Sequence, residues 1–263
     1  MCGRFTLRAS AETIAEQFAL FEMPAFAARF NIAPTQSVPV IRMRAEPLKG
    51  DGGTAADSGD QAENRSRRCS SVPLPSQRRE LVWLRWGLVP GWAKDPAIGS
   101  RLINARAESA AEKPAFRSAV RRRRCLIVAD GFYEWQQTGQ TKQPYFIRLH
   151  GDRPFAFAGV WEAWIGADHS TLDTCAILTT AANELVRPIH DRMPVILPPS
   201  GCAAWLDPAI EEPRQIMPLL APYPSNEMEA QPVGEFVNNP SHDSPRCLEP
   251  ALQKDNIVLP GLQ

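Results

Sequence analysis

The sequence predicts an α+β fold built on a strongly curved, mainly antiparallel β-sheet or barrel, with short helices at its periphery. Many short runs are rich in β-branched and aromatic residues, which is typical of strands. Several gaps between these runs are too short for a helical crossover, which favours antiparallel pairing. Hydrophobic residues make up 44% and charged residues 22% of the 263 residues, as in ordinary globular proteins with a sizeable core.

The elements can be placed in chain order. Ser10 is expected to cap a short helix, because Ile14, Phe18 and Phe21 recur at a helical spacing. Residues 31–35 form a predicted turn that leads into a strand at 38–43. Further strands are predicted at 81–86, 124–130, 145–149, 155–161, 174–180 and 194–197, and short helices near 107–120, 182–187, 200–206 and 211–220.

The chain is expected to form a single domain over residues 1–263. Residues 46–79 are rich in Gly, Ser, Asp and Arg and hold almost no large apolar side chain, which predicts a flexible insertion between two strands. Its arginines are more typical of a solvated loop than of a DNA contact. The stretch from about Pro222 is rich in Pro, Asn and Ser and predicts an irregular C-terminal tail.

Several function classes are disfavoured. No run approaches the roughly 18 apolar residues of a membrane span, and the N-terminus lacks a signal-peptide pattern, so we expect no membrane partner and a cytoplasmic location. The irregular spacing of the six cysteines predicts reduced thiols. The absence of CxxC and HxxxH pairs argues against a metal site, and no cofactor is expected. Basic residues, mostly Arg, outnumber acidic ones before residue 207, a weak indication of nucleic-acid binding.

Cys2 is the most informative position. Methionine is usually trimmed when a small residue follows, and loss of Met1 would leave a free α-amine and a thiol on adjacent carbons. Both groups have usable nucleophilic fractions near neutral pH. An aldehyde can form an imine with the amine and then close with sulfur into a thiazolidine. The alternative is that Cys2 merely follows the start codon.

Two further side chains suit proton transfer. Glu134 lies among Phe132, Tyr133 and Trp135, a setting that would raise a carboxyl pKa, although an exposed strand-end Glu is the plain alternative. His190 is a candidate to protonate the ring oxygen of a closed sugar, with an ordinary surface or core histidine as the alternative.

Some polar and aromatic side chains would suit contacts with a nucleic acid. Asn104 can bind a sugar oxygen, and Arg106 would share its face if the segment is extended. Trp86 and Trp92 flank a Gly-Leu-Val-Pro-Gly turn. Trp86 is predicted in the core, and Trp92 is the candidate for stacking on a base. The run Arg121–Arg124 suits the end of a helix as well as a DNA contact.

Blocks of sequence in a fixed order resemble the SOS-response-associated peptidase (SRAP) family, also described as abasic-site-processing proteins. The resemblance covers residues 2 to about 198, with a weak echo at Val237–Asn239. The blocks are Met1–Phe5, Arg29–Thr35, Trp86–Trp92, Ile103–Glu108, Asp130–Trp135, Thr179–Asn183 and His190–Pro194.

The resemblance implies an active site formed by Cys2, Asn104, Glu134 and His190. It also implies DNA contacts by Arg4 and Arg106 on phosphates and by residues bordering the same groove, namely Asn31, Pro34, Trp92 and Arg192. The implied substrate is single-stranded DNA that carries an abasic site, captured as a covalent crosslink during the DNA-damage or SOS response. The protein is expected to be a monomer, with replication-fork proteins as possible partners.

Two alternatives stay open. Cys2 is also suited to an N-terminal-nucleophile thiol peptidase or amidohydrolase, in which Asn104 binds the oxyanion and removal of Met1 is autolytic. A lyase activity on the abasic strand is a related possibility. The second alternative is a non-catalytic protein that binds single-stranded nucleic acid and in which Cys2 is incidental.

Overall fold

A computed structural model describes residues 2–21, 24–44 and 79–251. The fold contains thirteen described strands and five short α-helices. The strands are β1 (Arg4–Leu7), β2 (Arg29–Ile32), β3 (Ser37–Met43), β4 (Arg79–Trp86), β5 (Asn104–Arg106), β6 (Arg124–Ala129), β7 (Gly131–Thr138), β8 (Thr141–Leu149), β9 (Phe155–Ile165), β10 (Thr171–Ala181), β11 (Arg192–Pro194), β12 (Ile196–Leu197) and β13 (Met228–Pro232). The helices are α1 (Ala11–Phe18), α2 (Ala107–Ala110), α3 (Arg117–Arg122), α4 (Pro199–Leu206) and α5 (Pro213–Ile216).

The predicted curved, mainly antiparallel sheet is confirmed. In the larger sheet, β10, β4, β3, β6 and β9 close on themselves, because β10 pairs with both β4 and β9. Closure leaves no free edge around this ring of five strands. The pairings of β10 with β4 and with β5 are parallel, and the other strand pairs are antiparallel. The side chains inside form one continuous apolar core that includes Trp86, Phe157 and Leu178.

The second sheet has five antiparallel strands in the order β13, β8, β7, β1, β2. The chain passes directly from barrel strand β6 into β7 through the buried residue Asp130. The Asp130 carboxylate accepts hydrogen bonds from the Thr6 hydroxyl at 2.5 Å, from the Ala9 backbone N–H at 2.8 Å and from Arg8. This carboxylate therefore ties the N-terminal strand to the junction of the two sheets.

The structure corrects three helix predictions. Helix α1 ends at Phe18 because Ala19 adopts the left-handed conformation at φ +52°, so Phe21 leaves the apolar stripe and is 88% exposed. The helix predicted at 107–120 is divided into α2 and α3, because Pro114 lies between them and lacks an N–H. Residues 182–187 form turns rather than a helix.

The prediction of a wholly irregular tail from about residue 222 is wrong. Strand β13 pairs with the free edge of β8, from Met228 opposite Leu149 to Pro232 opposite Tyr145. Beyond it, Val233, Val237 and Cys247 are fully buried. The predicted insertion at 46–79 lies outside the described residues except for Arg79, which begins β4. A single domain over the whole chain stays a prediction.

In the parts of the chain that the structure describes, no helix is long and apolar enough to cross a membrane. The longest, α1 and α4, have eight residues each.

Candidate active site

Cys2 lies two residues before β1, the strand next to the β2 edge of the smaller sheet. Strand β1 runs between β2 and β7, with Arg4 opposite Tyr133 and Phe5 opposite Phe132. The Cys2 side chain is fully buried, and its thiol lies 3.7 Å from the Arg4 carbonyl oxygen. Burial raises the pKa of the thiol, and the charge of Glu134 raises it further, against the opposing charge of the amino terminus. The thiol is therefore protonated at neutral pH.

Glu134 places a carboxyl group beside this thiol. Glu134 lies on β7 and is only 2% exposed, because this strand runs between β1 and β8. Burial raises the pKa of Glu134 to about 7, and the positive charge of the amino terminus limits the rise. The raised carboxyl pKa predicted from the apolar neighbours is confirmed. Near neutral pH this group can both accept and donate a proton.

Asn104 approaches Cys2 from the larger sheet. Its side-chain Nδ2 donates a hydrogen bond to the Cys2 carbonyl oxygen at 2.7 Å. The Asn104 Oδ1 atom is buried and has no hydrogen-bond partner among the described residues. An unsatisfied buried acceptor is costly, and a ligand hydroxyl at this point would satisfy it.

His190 follows the turn after β10 and presents a neutral ring. Its Nδ1 accepts a hydrogen bond from the Arg192 backbone N–H at 3.0 Å, although an Asp191 carboxylate oxygen also lies 2.9 Å away. Burial lowers the pKa of His190, the amino-terminal charge lowers it further, and Asp191 opposes the change. Asp191 is 84% exposed, so solvent screens its attraction for the ring, and the hydrogen bond from the Arg192 backbone N–H decides the tautomer. The proton of the neutral ring is then on Nε2.

The four predicted catalytic residues are brought together. The charge of Glu134 raises the pKa of the Cys2 thiol, Asn104 contacts Cys2 directly, and the charge of Asp191, next to His190, raises the pKa of Glu134. Strand β10 lies between the segments that carry Asn104 and His190. It pairs on one edge with β5, which contains Asn104, and on the other with β11, which follows His190. A nucleophile, an acid–base pair and a neutral hydrogen-bonding amide therefore share one site.

Glu108 is a site-supporting residue that the sequence reasoning missed. Both of its carboxylate oxygens accept from the Arg192 guanidinium, at 2.7 and 2.8 Å, and the same guanidinium donates to the Thr179 carbonyl at 2.6 Å. This pair joins the segment after Asn104 to the segment after His190. A phosphate contact by Arg192, whose side chain is 14% exposed, would require breaking this pair. The position of Glu108 in the Ile103–Glu108 block was the available signal.

Asn31, which was predicted to border the DNA groove, lies inside the protein. Its side chain is fully buried, and its amide nitrogen donates to the carbonyls of Val237, Asn239 and His242. Its Oδ1 accepts from the Arg4 guanidinium at 2.9 Å. Arg4 also donates to the Val237 carbonyl at 2.9 Å. Asn31 and Arg4 therefore hold the C-terminal segment, residues 237–242, against β1 and β2 through hydrogen bonds.

Replacing Asn31 with Ala is expected to lower the free energy of unfolding by roughly 2–4 kcal/mol, because buried partners of the amide lose their hydrogen bonds. Denaturant unfolding measures the change. Gln137→Ala is the matched control, since this amide is exposed and donates only to the nearby Gly139 carbonyl. If Asn31→Ala lowers the free energy of unfolding no more than the control does, these hydrogen bonds contribute little to stability.

The other predicted DNA-contact residues are at the surface or near it. Pro34 is half-buried in a turn that is tied to the larger sheet, because the Thr35 N–H donates to the Trp86 carbonyl at 2.8 Å. Trp86 is fully buried, as predicted, whereas Trp92 is 62% exposed. Arg106 is exposed at the end of β5, and as the segment is extended it shares the face of Asn104.

The chain is similar in sequence to a known protein family and to individual members of it. The model of the SOS response associated peptidase (SRAP) family matches residues 1–240. The chain belongs to the SRAP family. One SRAP relative, the abasic site processing protein YoqW of Bacillus subtilis, is 40% identical over 253 residues, which cover 95% of this chain and 99% of the relative. The abasic site processing protein HMCES of Gallus gallus is 35% identical over 209 residues, covering 70% of this chain and 62% of that protein.

Solved structures share the SRAP fold. A protein from Bacteroides thetaiotaomicron is superposable with a TM-score of 0.75 at 23% identity, over 95% of this chain and 100% of that one. A protein from Bordetella bronchiseptica gives a TM-score of 0.66 at 25% identity, over 89% and 100% of the two chains.

The described cysteines of this SRAP chain form no disulfide with one another. Cys2, Cys125, Cys175, Cys202 and Cys247 are buried free thiols, and Cys69 lies outside the described residues. Within residues 2–21, 24–44 and 79–251, no group of three or more His, Cys, Asp or Glu side chains could hold a metal ion.

Proposed function

We propose that this protein processes abasic sites in single-stranded DNA by capturing them covalently through Cys2. The observation that carries the proposal is the buried Cys2 thiol close to the Glu134 carboxyl and the Asn104 amide. The names of the relatives, abasic site processing proteins, supply the substrate class. The opened sugar of an abasic site is an aldehyde, which is the partner that an amine and a thiol on adjacent carbons capture best.

The reaction begins with removal of Met1, which lies outside the described residues. The free Cys2 amine adds to the aldehyde carbon and gives a carbinolamine, which loses water to form an imine. The thiol then adds across the C=N bond. Sulfur bonds to carbon, and the proton of the thiol ends on nitrogen. The product is a five-membered thiazolidine held by two bonds from one residue, so it resists hydrolysis better than an imine.

The site residues have distinct tasks in this sequence. The amine attacks first, because imine formation supplies the C=N bond to which the thiol adds, and sulfur closes the ring later. Glu134, with its pKa of about 7, takes protons from the amine and the thiol. His190 donates from Nε2 to the ring oxygen of the closed sugar and helps it open. The free Oδ1 of Asn104 accepts a hydrogen bond from a sugar hydroxyl.

The flanking DNA is held by exposed groups. Arg106 contacts a phosphate, Trp92 stacks on a base, and Pro34 borders the groove. Arg4 and Arg192 act mainly inside the protein, since their guanidinium groups are hydrogen-bonded to it. The logarithm of the association constant should fall linearly with the logarithm of the salt concentration, with a slope of about −0.7 for each phosphate contact on a single strand.

In the cell, the crosslink would shield the lesion from strand cleavage during the DNA-damage or SOS response. We expect a cytoplasmic monomer that joins the nucleoid when bound to DNA, with replication-fork proteins as partners. Lyase activity and autolytic removal of Met1 are compatible with the same amine and thiol. The peptidase or amidohydrolase alternative rests on the description of the family.

The intact mass of the purified protein, before and after incubation with single-stranded DNA carrying one abasic site, tests the proposal. We expect loss of Met1 and a heat-stable adduct of one protein and one DNA strand. The matched control is the same strand with an intact base, which should give no adduct. A trimmed protein that leaves the abasic strand unmodified would overturn the proposal, and cleavage of peptide or amide substrates would then support the alternative.

A further inference from the structure

Glu108 is connected to the acid–base candidate His190 through a single residue, Arg192. The Arg192 guanidinium donates from both terminal nitrogens to the Glu108 carboxylate, at 2.7 and 2.8 Å. The Arg192 backbone N–H donates to Nδ1 of His190 at 3.0 Å. Glu108 lies on α2, four residues after Asn104. The side chain of Arg192 therefore contacts one element of the site, and its backbone contacts the imidazole ring of another.

The Arg192 N–H takes no part in the hydrogen-bond ladder of the sheet. Strand β11 has three residues and lies at one end of the strand order of the larger sheet, next to β10. The Ala182 N–H donates to the Asp191 carbonyl at 3.0 Å, so these two residues form a hydrogen-bonded pair. Such pairs alternate with non-hydrogen-bonded pairs in an antiparallel ladder, and Arg192, opposite Ala181, therefore directs its N–H away from β10. The ring of His190 accepts this N–H instead.

The Nδ1 atom of His190 has two neighbours that favour opposite states of the ring. The Arg192 N–H requires Nδ1 as an acceptor, so the proton of the neutral ring lies on Nε2. A carboxylate oxygen of Asp191, 2.9 Å from Nδ1, is an acceptor and requires the proton on Nδ1. The position of the Arg192 backbone relative to the ring therefore decides which nitrogen carries the proton.

The side chain of Arg192 anchors that backbone. Besides its two hydrogen bonds to Glu108, the guanidinium donates to the Thr179 carbonyl at 2.6 Å, and the side chain is only 14% exposed. A bidentate pair between an arginine and a carboxylate fixes the geometry more tightly than one hydrogen bond does. The same hydrogen bonds lower the pKa of the Glu108 carboxyl, which keeps it ionised at neutral pH. A three-residue strand has few backbone hydrogen bonds of its own, so this anchor holds its first residue in place.

We propose that Glu108 is a positioning residue, which keeps the proton of the neutral His190 ring on Nε2 by anchoring Arg192. Its effect on the reaction rests on the proposed function, in which Nε2 donates to the ring oxygen of the abasic sugar. Without the anchor, Nδ1 should donate to Asp191 in part of the molecules. In those molecules Nε2 has no proton to give.

Nitrogen-15 NMR of histidine-labelled protein tests the proposal without DNA. At pH 8 the ring is neutral, because the pKa of His190 is lowered by burial, and the shifts of its two nitrogens report which one carries the proton. The signals of His190 are identified by their loss in His190→Gln. In the unmodified protein Nε2 should be protonated, and in Glu108→Gln the proton should lie partly on Nδ1. Single-turnover adduct formation by this variant should slow by about 10-fold, less than the 10²- to 10⁴-fold cost of losing an acid–base group.

Two further variants separate positioning from a general effect on the protein. Arg192→Met preserves the backbone N–H and removes the guanidinium, so it should give the same nitrogen shifts as Glu108→Gln, and combining the two should add no further change. Glu112→Gln is the matched control, since it removes an exposed carboxylate from the segment between α2 and α3 and should leave the His190 shifts and the rate unchanged.

The outcomes for Glu108 and for the crosslinking function are distinguishable. If the His190 shifts are the same in Glu108→Gln as in the unmodified protein, Glu108 does not position the ring. If Glu108→Gln has its full effect in the Arg192→Met background, it does not act through Arg192, and the proposal is again overturned. Failure of the unmodified protein to crosslink abasic DNA would instead overturn the proposed function, and the nitrogen shifts would still decide the role of Glu108.

Discussion

Inserting Ala between Met1 and Cys2 should abolish the heat-stable adduct with abasic single-stranded DNA. The insertion preserves the thiol, but the nitrogen of Cys2 becomes part of an amide and is no longer nucleophilic. An imine formed by the new terminal residue has no thiol on the adjacent carbon and cannot close into a five-membered thiazolidine. Denaturing gel electrophoresis after heating, together with intact mass, measures the adduct.

Cys2→Ala is the complementary variant, because it preserves the amine and removes the thiol. It should form only an imine, which borohydride traps and heat reverses, and this imine promotes slow cleavage of the strand. The inserted variant should still react with a general thiol reagent when unfolded, which verifies that the cysteine is intact. A heat-stable adduct in the inserted variant would show that the thiol reacts alone and would exclude the thiazolidine.

Replacing Glu134 with Gln should slow adduct formation by about 10²- to 10⁴-fold, the range usual for loss of a general acid–base group. The carboxylate form takes protons from the amine and thiol, so the rate should rise as pH increases through the Glu134 pKa of about 7. In the variant, only the rise caused by the amine, at about pH 8, should remain. Single-turnover rates between pH 5 and pH 9, by quenched gel assay, measure both effects.

Glu134 should also make stability depend on pH, and in the opposite direction to the reaction rate. Burial raises the pKa of Glu134 from 4.5 to about 7 in the folded protein, so the folded state binds more protons than the unfolded state between these values. The free energy of unfolding therefore falls as pH increases through this interval, by an amount of the order of 3 kcal/mol. Glu134→Gln should lack this fall, as denaturant unfolding at pH 5 and pH 8 would show.

Glu184→Gln is the matched control, because Glu184 is an exposed carboxylate on the turn before His190. It should preserve both the rate profile and the pH dependence of stability. If Glu134→Gln retains the unmodified rate within a few fold, Glu134 is not the proton carrier. If the fall in stability persists in that variant, the raised carboxyl pKa belongs to another group.

Long apolar runs were predicted well from the sequence, and short mixed ones were not. Strands β6, β9 and β10 have buried, β-branched and aromatic cores, and the predicted runs lie within them or differ by one residue. Strands β1, β2 and β7 were not predicted, because Arg4, Asn31 and Glu134 interrupt the apolar pattern. These three polar residues are buried or half-buried, and only their tertiary partners make that possible.

The run Arg121–Arg124 shows the same limit. Its four side chains are identical in the sequence, yet the structure separates them. Arg121 and Arg122 are exposed at the end of α3, whereas Arg123 pairs with Glu162 at 2.6 Å. Arg124 is 6% exposed and donates to the carbonyls of Val120 and Trp205. Local spacing places a charge on a helix or strand, but only the packing of distant segments decides whether it meets solvent or a carbonyl group.

The sequence by itself determined the fold class and the family, and it singled out Cys2 as the candidate nucleophile. These depend on local pattern and on covalent position, since an amine beside a thiol is possible only at an N-terminal cysteine. The tertiary structure alone decided that Glu134 and His190 share their surroundings with Cys2, and that Asn31 and Arg4 bind the C-terminal segment. Those outcomes depend on desolvation and on hydrogen bonds between residues that are far apart in the chain, which no local pattern contains.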